Sequence, residues 1–207
     1  MNKPVIAFDC DDVIVATGAL LIHHYNKLHG THVQPQHFYS KDYEHVWQAN
    51  PETATRDLFA YLLTDDYANL PPMEGAVDTL RKLAENYTLY IVTGRPDETE
   101  QATHEWVDKY LPGIFEEIVF TNFFKLSDSK GALRTKADVC KELGAEWLVD
   151  DHLHHIRNVT DYGITGLLFG DLPWEQLDAP AKNIIKIKDW QQLGHYFEQP
   201  NKSIPHS

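Results

Sequence analysis

The stretch VIAFDCDDVI, Val5 to Ile14, runs four apolar residues straight into three carboxylates, Asp9, Asp11 and Asp12. Like charges crowded at the end of a buried strand cost free energy unless a counter-charge or a metal compensates them. The placement therefore points to a site at the carboxyl end of the first strand.

PVIAFD (4–9) is one of six strand candidates. The others are TLYIVTG (88–94), EEIVFTN (116–122), EWLVDD (146–151), GITGLLFG (163–170) and the weaker NIIKIK (183–188). Several are near-continuous apolar runs, the pattern of strands buried on both faces of a parallel sheet. Helical patterns separate most of them. EGAVDTLRKLAENY (74–87) repeats apolar residues at Ala76, Val77, Leu80, Leu83 and Ala84; DETEQATHEWVDKYL (97–111) and TKADVCKELG (135–144) behave similarly, with Gly144 a natural stop. Strands alternating with helices imply βαβ units. The expected fold is α/β, a Rossmann-like doubly wound parallel sheet.

One segment breaks the rhythm. Residues 16–72 read as helices, in GALLIHHYNKLHG (18–30), around PQHFYSKDYEHVW (35–47) and in PETATRDLFAYLL (51–63), punctuated by Pro51 and Pro71-Pro72. The reading is a small helical cap inserted over the carboxyl edge of the sheet; the alternative is padding of the core. Residues 1–15 and 73–198 then form the α/β core, and 199–207 a frayed polar tail.

The 207 residues suit one sizeable domain with a small insertion, and the 43% apolar content is that of a soluble globular protein. No run reaches the roughly 18 apolar residues needed to span a bilayer. No small-residue cleavage site follows the N-terminus, and two cysteines, Cys10 and Cys140, suit a reducing compartment. The expectation is a cytoplasmic protein with no membrane partner, Cys10 being a buried filler. A net charge of −13 argues against a nucleic-acid polymer as partner. An anionic small substrate would need local cations or a metal.

Open α/β sheets bind ligands at the carboxyl ends of their strands. There the first strand delivers Asp9, Asp11 and Asp12, the second Thr93, Gly94 and Arg95, the third Thr121 and Asn122, and the fourth Asp150 and Asp151. Lys136 starts the helix feeding the fourth strand. The chemical fit is to phosphoryl transfer. Carboxylates and a backbone carbonyl suit Mg²⁺, which takes a substrate phosphate as a further ligand. A carboxylate can attack phosphorus, a hydroxyl and a lysine can stabilise the transferring group, and a second carboxyl can move the proton.

FDCDDV, IVTGR, Lys136 and LVDDH, in that order, resemble the four motifs of the haloacid dehalogenase-like hydrolase superfamily over residues 4 to about 170. The helices after the first motif look like that superfamily's C1-type cap. PPMEGAVDTLRKL, VTGRP, TKADVCKELG, LVDDHLHHI and GDLPW look most similar to its 5′(3′)-deoxyribonucleotidase-like group. The resemblance implies Asp9 as nucleophile and metal ligand, and Asp11 as general acid/base whose backbone carbonyl reaches Mg²⁺. It implies Thr93 and Gly94 as the phosphate cradle, Lys136 as neutraliser of nucleophile and phosphate, and Asp150 and Asp151 as the acidic end of the metal site, one of them a direct ligand. The superfamily's dehalogenases do without the second acid, so Asp11 favours a phosphatase.

Asp12 departs from the glycine common at its position. Strand alternation sends it away from Asp9 and Asp11, where it caps the following helix; turned inward, it would repel a phosphate. His152, His154 and His155 read as structural or solvent-facing, with His152 able to tune the acidic pair. Arg95 is open between a phosphate contact and an ion pair with Asp97 or Glu98. Phe38, Tyr39, Tyr43 and Trp47 are read as packing the cap, with stacking on a nucleobase as the other option, and Trp174 as a pocket wall or a loop seal. The expected activity is Mg²⁺-dependent hydrolysis of a small soluble phosphomonoester, foremost a (deoxy)nucleoside monophosphate, through an aspartyl-phosphate. Its rivals are a non-catalytic phosphoacceptor domain, disfavoured because receiver domains place the phosphorylated Asp on a later strand, and a degenerate binding protein.

Overall fold

The computed structural model describes residues 3–38, 40, 42–121, 134–171 and 181–199. Among them, strands β1 (Val5–Phe8), β2 (Thr88–Thr93), β3 (Glu117–Phe120), β4 (Ala145–Asp150), β5 (Thr165–Phe169) and β6 (Ile184–Ile187) form one sheet. All pairings are parallel, in the order β3-β2-β1-β4-β5-β6. The chain leaves β1 for β2 and β3 on one side, then returns to place β4 on the other. The carboxyl ends of β1 and β4 therefore flank the point where the winding reverses, which is where sheets of this kind open a crevice.

Strand alternation sorts the side chains. Ile6 and Phe8 of β1, Leu89 and Ile91 of β2, Val149 of β4 and Leu167 and Phe169 of β5 join one buried cluster. Ala7, Val92, Leu148 and Leu168 join a second cluster on the opposite face. This two-sided burial explains the continuous apolar runs. The first face is covered by α1 (Gly18–His29), α2 (Pro51–Phe59), α3 (Asp65–Ala68), α4 (Ala76–Asn86) and α5 (Glu100–Tyr110), which supply Leu21, Leu58, Tyr67, Leu80 and Trp106. The second is covered by α6 (Lys136–Glu142) and α7 (Leu153–Thr160), with Val139 and Ile156. The last helix, α8 (Trp190–Glu198), returns to the first face, where the Trp190 ring stacks on Phe8 at 5.9 Å. Among the described residues no helix is long and apolar enough to cross a membrane.

The segment between β1 and β2 is helical, but not in the three pieces the sequence suggests. Its first helix ends at Gly30 in the left-handed conformation, φ 65°. The described residues among 35–47 do not form one helix. They give a 3₁₀ turn at Pro35–His37 and a single π-helical turn at Tyr43–Trp47. The Asp42 carboxylate accepts from the His45 backbone N–H at 3.2 Å and starts that new turn, a side-chain bond competing with helix continuation. PETATRDLFAYLL begins as α2, capped by Asn50, and tightens into a 3₁₀ turn over Ala60–Leu63. The short α3, capped by Thr64, has no counterpart in the sequence reading. The buried side chains of the segment, Tyr25, Trp47, Leu62 and Tyr67 among them, belong to the same cluster as β1 and β2. Trp47 is buried and donates its indole N–H to Ser40 O, as packing requires; Phe38 and Tyr43 are half-buried. Tyr39, Asn122, Trp174 and the tail from residue 200 lie outside the described residues.

Gly166 of β5 faces α7 so closely that a Cβ there would lie 2.5 Å from Ile156 Cγ2 and 3.2 Å from Ile156 O. Gly166→Ala is expected to cost about 1–3 kcal/mol by overpacking. Urea unfolding measures it, and a variant as stable as wild type would mean α7 shifts freely.

Candidate active site

Asp9 follows β1 directly, and its backbone N–H donates to Val149 O of β4 at 2.8 Å, prolonging the ladder by one bond. Its carboxylate is thereby fixed beside the end of β4, where Asp150 and Asp151 sit. Lys136 closes the group. Its ammonium lies 2.7 Å from Asp9 Oδ1 and 2.7 Å from Asp150 Oδ2, and all three side chains are buried. A lysine in the first turn of a helix works against the helix dipole. Here a reciprocal capping box between Thr135 and Asp138 starts α6 at that residue. The two carboxylates outweigh the dipole and the burial, and hold the Lys136 pKa above its usual value.

The five aspartates of the two acidic motifs are differently held. Asp150 is saturated: Lys136 on Oδ2, the His152 backbone N–H on Oδ1 at 2.8 Å, and His155 Nδ1 at 3.2 Å. Against the upward push of burial, Lys136 and His155 keep its carboxyl well below the usual range. Asp151 is the opposite case. Its Oδ1 is buried without a hydrogen-bond partner, a rare condition for a polar atom. Burial, then Asp150, Asp9 and Asp12, push its pKa well up. For Asp9, burial outweighs Lys136, and Asp150 and Asp11 add to it, giving a pKa pushed up to about 6. Ligand oxygens of Asp9, Asp150 and Asp151 all lie within 4.8 Å of one another. Three carboxylates share one ammonium in this buried cluster, a deficit of positive charge. An oxygen-rich set with one orphaned oxygen fits a hard divalent cation.

Asp11 is held by different partners. Arg95 Nε donates to its Oδ2 at 2.9 Å and Arg95 Nη2 to its Oδ1 at 2.8 Å, a bidentate pair, and the Thr17 hydroxyl donates to Oδ1 as well. Burial pushes the Asp11 carboxyl up, but Arg95 and Thr17 outweigh it and keep the pKa low. The sequence left Arg95 between a phosphate and Asp97 or Glu98; its carboxylate is Asp11. The strand order carries the signal: β2 lies beside β1, so a residue just past β2 reaches the loop after β1.

Asp12 caps α1. Its Oδ1 accepts from the Gly18 backbone N–H at 3.1 Å, and a Cβ on Gly18 would collide with Asp12 Oδ2. The capping matches the expectation, but simple alternation does not describe the backbone. Asp12 has φ 56°, in the left-handed region that favours glycine, and residues 10–15 fold back through Val15 N–H to Cys10 O at 3.1 Å. Asp12 therefore remains on the wall of the cavity beside the acidic cluster.

Thr93 ends β2, fully buried, and its hydroxyl oxygen accepts from the Arg95 backbone N–H at 3.2 Å, which leaves the O–H to donate. Gly94 follows it. Thr121 follows β3 one strand further out, with a buried hydroxyl lacking a partner. The His155 ring touches Asp150, because a helix begins at Leu153 and turns that ring inward; His154 is exposed. Cys10 is buried, and burial raises its thiol pKa to about 12, consistent with an inert filler. A cavity of about 1490 Å³ runs from the carboxylates along α4 and α8. Asp11, Asp12 and Asp151 line it from the sheet edge, and Ile22, Pro35 and Phe38 from the helical segment.

The sequence matches the family model described as 5′ nucleotidase, deoxy (pyrimidine), cytosolic type C protein (NT5C) over residues 3–193. No curated protein sequence matches it. Among solved structures, it is similar to one described as a predicted phosphatase from Clostridium acetobutylicum, with TM-score 0.68 and 14% identity over 95% of this chain and 99% of that one. It is also similar to a haloacid dehalogenase-like family hydrolase from Streptococcus pneumoniae, with TM-score 0.66 and 17% identity over 95% and 99%. A third is the HAD-hydrolase YfnB from Bacillus subtilis bound to magnesium, with TM-score 0.59 and 14% identity over 96% and 100%. At such identities the likeness is one of fold.

Asp11→Asn strands the buried Arg95 cation, and removing one partner of a buried pair costs about 3–5 kcal/mol. Since Asp11 keeps some solvent access (18% of its side chain), the lower end is expected in urea unfolding. The Asp11→Asn/Arg95→Met double variant is expected to lose less. Wild-type stability in Asp11→Asn would mean that the pair contributes nothing.

Proposed function

The chain belongs to the 5′ nucleotidase, deoxy (pyrimidine), cytosolic type C family, a phosphatase family of the haloacid dehalogenase-like superfamily, and we propose that it hydrolyses small phosphomonoesters through a phosphoryl group carried on Asp9. The observation that carries this reading is the Asp9 carboxylate. One of its oxygens is fixed by Lys136, beside an acidic cluster with an orphaned oxygen.

The Lys136 ammonium holds Asp9 Oδ1 and leaves Oδ2 to attack phosphorus. As that bond forms, the bond from phosphorus to the ester oxygen breaks. Asp11, held ionised by Arg95 in the free chain, takes up a proton from solvent as substrate binds and gives it to the leaving alcohol; it then takes one from the water that attacks the aspartyl-phosphate, releasing phosphate and restoring Asp9. The Thr93 hydroxyl, the backbone at Gly94 and the Lys136 ammonium steady the phosphoryl oxygens as negative charge shifts among them.

Mg²⁺ fits the oxygen set, and Asp9, Asp151 and the Asp11 backbone carbonyl would hold it. Bound there, it neutralises the carboxylates and the substrate phosphate. Asp151 is assigned the direct contact because its oxygen lacks a partner, whereas Asp150 is taken up by Lys136, His152 and His155. Residues 16–72 act as the cap. Their Ile22 and Phe38 supply an apolar and aromatic wall to the cavity, which suits a nucleobase and makes a deoxynucleoside monophosphate the leading substrate.

Phosphate release measured with Mg²⁺ across deoxynucleotides, sugar phosphates and simple phosphomonoesters tests the reading. Multiple turnovers are expected on at least one, a fall of about 10³-fold or more in Asp9→Asn, and activity retained in Asp12→Gly, which relieves the left-handed strain. No release above the Asp9→Asn background would contradict hydrolysis. A loss in Asp12→Gly as deep as that in Asp9→Asn would give Asp12 a catalytic part.

The metal makes a separate, thermal prediction. An Asp9 pKa of about 6 against the ordinary 3.8 means that the metal-free fold is favoured below the ordinary value and loses that stability as pH rises through about 6. Mg²⁺ binds the ionised form. At about one hundred times its dissociation constant it should raise the Tm of chelator-treated protein by roughly 5–10 °C at pH 7.5. The rise should shrink at pH 5 and nearly vanish in Asp151→Asn. Equal shifts in wild type and Asp151→Asn would remove Asp151 from the metal site.

A further inference from the structure

Arg95 is almost wholly buried, at 1% exposure, where a charge is retained only when it is paired. Its side chain spreads over three segments. Nε and Nη2 grip both oxygens of Asp11, in the loop after β1. Nη1 donates to the Tyr67 hydroxyl of α3 at 2.7 Å and to Thr103 Oγ1 of α5 at 3.0 Å. The Thr103 hydroxyl in turn donates to Thr99 O at 2.8 Å, so its oxygen is oriented to accept. The guanidinium carbon also sits 5.1 Å from the centre of the Tyr67 ring.

We propose that Arg95 is a positioning residue: it sets where the Asp11 carboxylate stands and ties that place to the helical segment between β1 and β2 through Tyr67. The inference rests on the reading of Asp11 as proton carrier. Arg95 takes one lone pair on each Asp11 oxygen and leaves another on Oδ2, so the fork fixes where the carboxylate stands without blocking it. Tyr67 and Thr103 hold the guanidinium in turn. A planar fork with fixed donor directions meets this requirement, whereas a lysine ammonium offers charge without the paired geometry.

The position and its consequence are tested separately. A crystal structure of Arg95→Lys reads the first, and the Asp11 carboxylate is expected to leave its present place. An unmoved Asp11 would overturn the proposal whether or not the chain hydrolyses anything. The consequence is read from kcat/KM, which reports the step up to departure of the alcohol. A nucleotide or other alkyl phosphomonoester needs the proton; p-nitrophenyl phosphate, whose leaving group is stable as an anion, does not. In Arg95→Lys, kcat/KM should fall about 10²-fold on the alkyl ester and far less on the aryl ester. Tyr67→Phe, which keeps the ion pair, should shift the same ratio in the same direction by less, and it decides the matter if Arg95→Lys does not fold. Equal losses on both esters, or none, would overturn the positioning role. Wild-type enzyme that hydrolyses neither ester would instead bring down the phosphatase reading, and this inference with it.

Discussion

A lysine ammonium buried between Asp9 and Asp150 makes the rest of this arrangement possible. Both contacts are 2.7 Å, and none of the three groups has more than slight access to water. Charges in such a place are retained only when paired, because desolvation otherwise costs several kcal/mol per ion. The parallel pairing of β1 with β4 brings the carboxylates together. The capping box at Thr135 points the start of α6, and hence Lys136, at the gap between them. One cation does not balance three carboxylates, and that deficit of positive charge is what suits the pocket to a metal cation.

The acidic loop after β1 divides into three separate environments. Asp9 is tied to the buried cluster, Asp11 to a guanidinium carried by β2, and Asp12 to the first N–H of α1. A nucleophile must stay ionised and face phosphorus, and a proton carrier must alternate between two states. The two roles therefore need different counter-charges. Lys136 and Arg95 come from different segments and do not share a carboxylate among the described contacts. Gly18 belongs to the same scheme, since only a residue without a Cβ leaves room for the Asp12 carboxylate over the helix start.

Much of the fold was legible because strands buried on both faces write themselves as continuous apolar runs. VIAF, TLYIVT and AEWLVD are found as β1, β2 and β4 with ends shifted by a residue or two. The convergence of Asp9, Thr93, Lys136, Asp150 and Asp151 on one edge was legible for the same reason: strand ends are countable. Side-chain partners were not. Arg95 beside Asp11 requires knowing which strands are neighbours, and His155 on Asp150 requires knowing where α7 begins. The turns at 35–47 were misread as one helix because the Asp42 side chain competes locally with the helical pattern. Asp12 was correctly given a capping role, but its position on the cavity wall depends on a left-handed backbone that alternation does not predict.

The central claim is that Asp9 carries the phosphoryl group. The direct test is to mix the enzyme and Mg²⁺ with a hydrolysable phosphomonoester, quench in acid within the first turnover, and map the phosphorylated peptide by mass spectrometry. The account predicts a phosphoryl group on Asp9, lost on treatment with hydroxylamine, and missing from Asp9→Asn. Phosphate release at full rate with no adduct on Asp9 at any quench time, or an adduct on another residue, would contradict it.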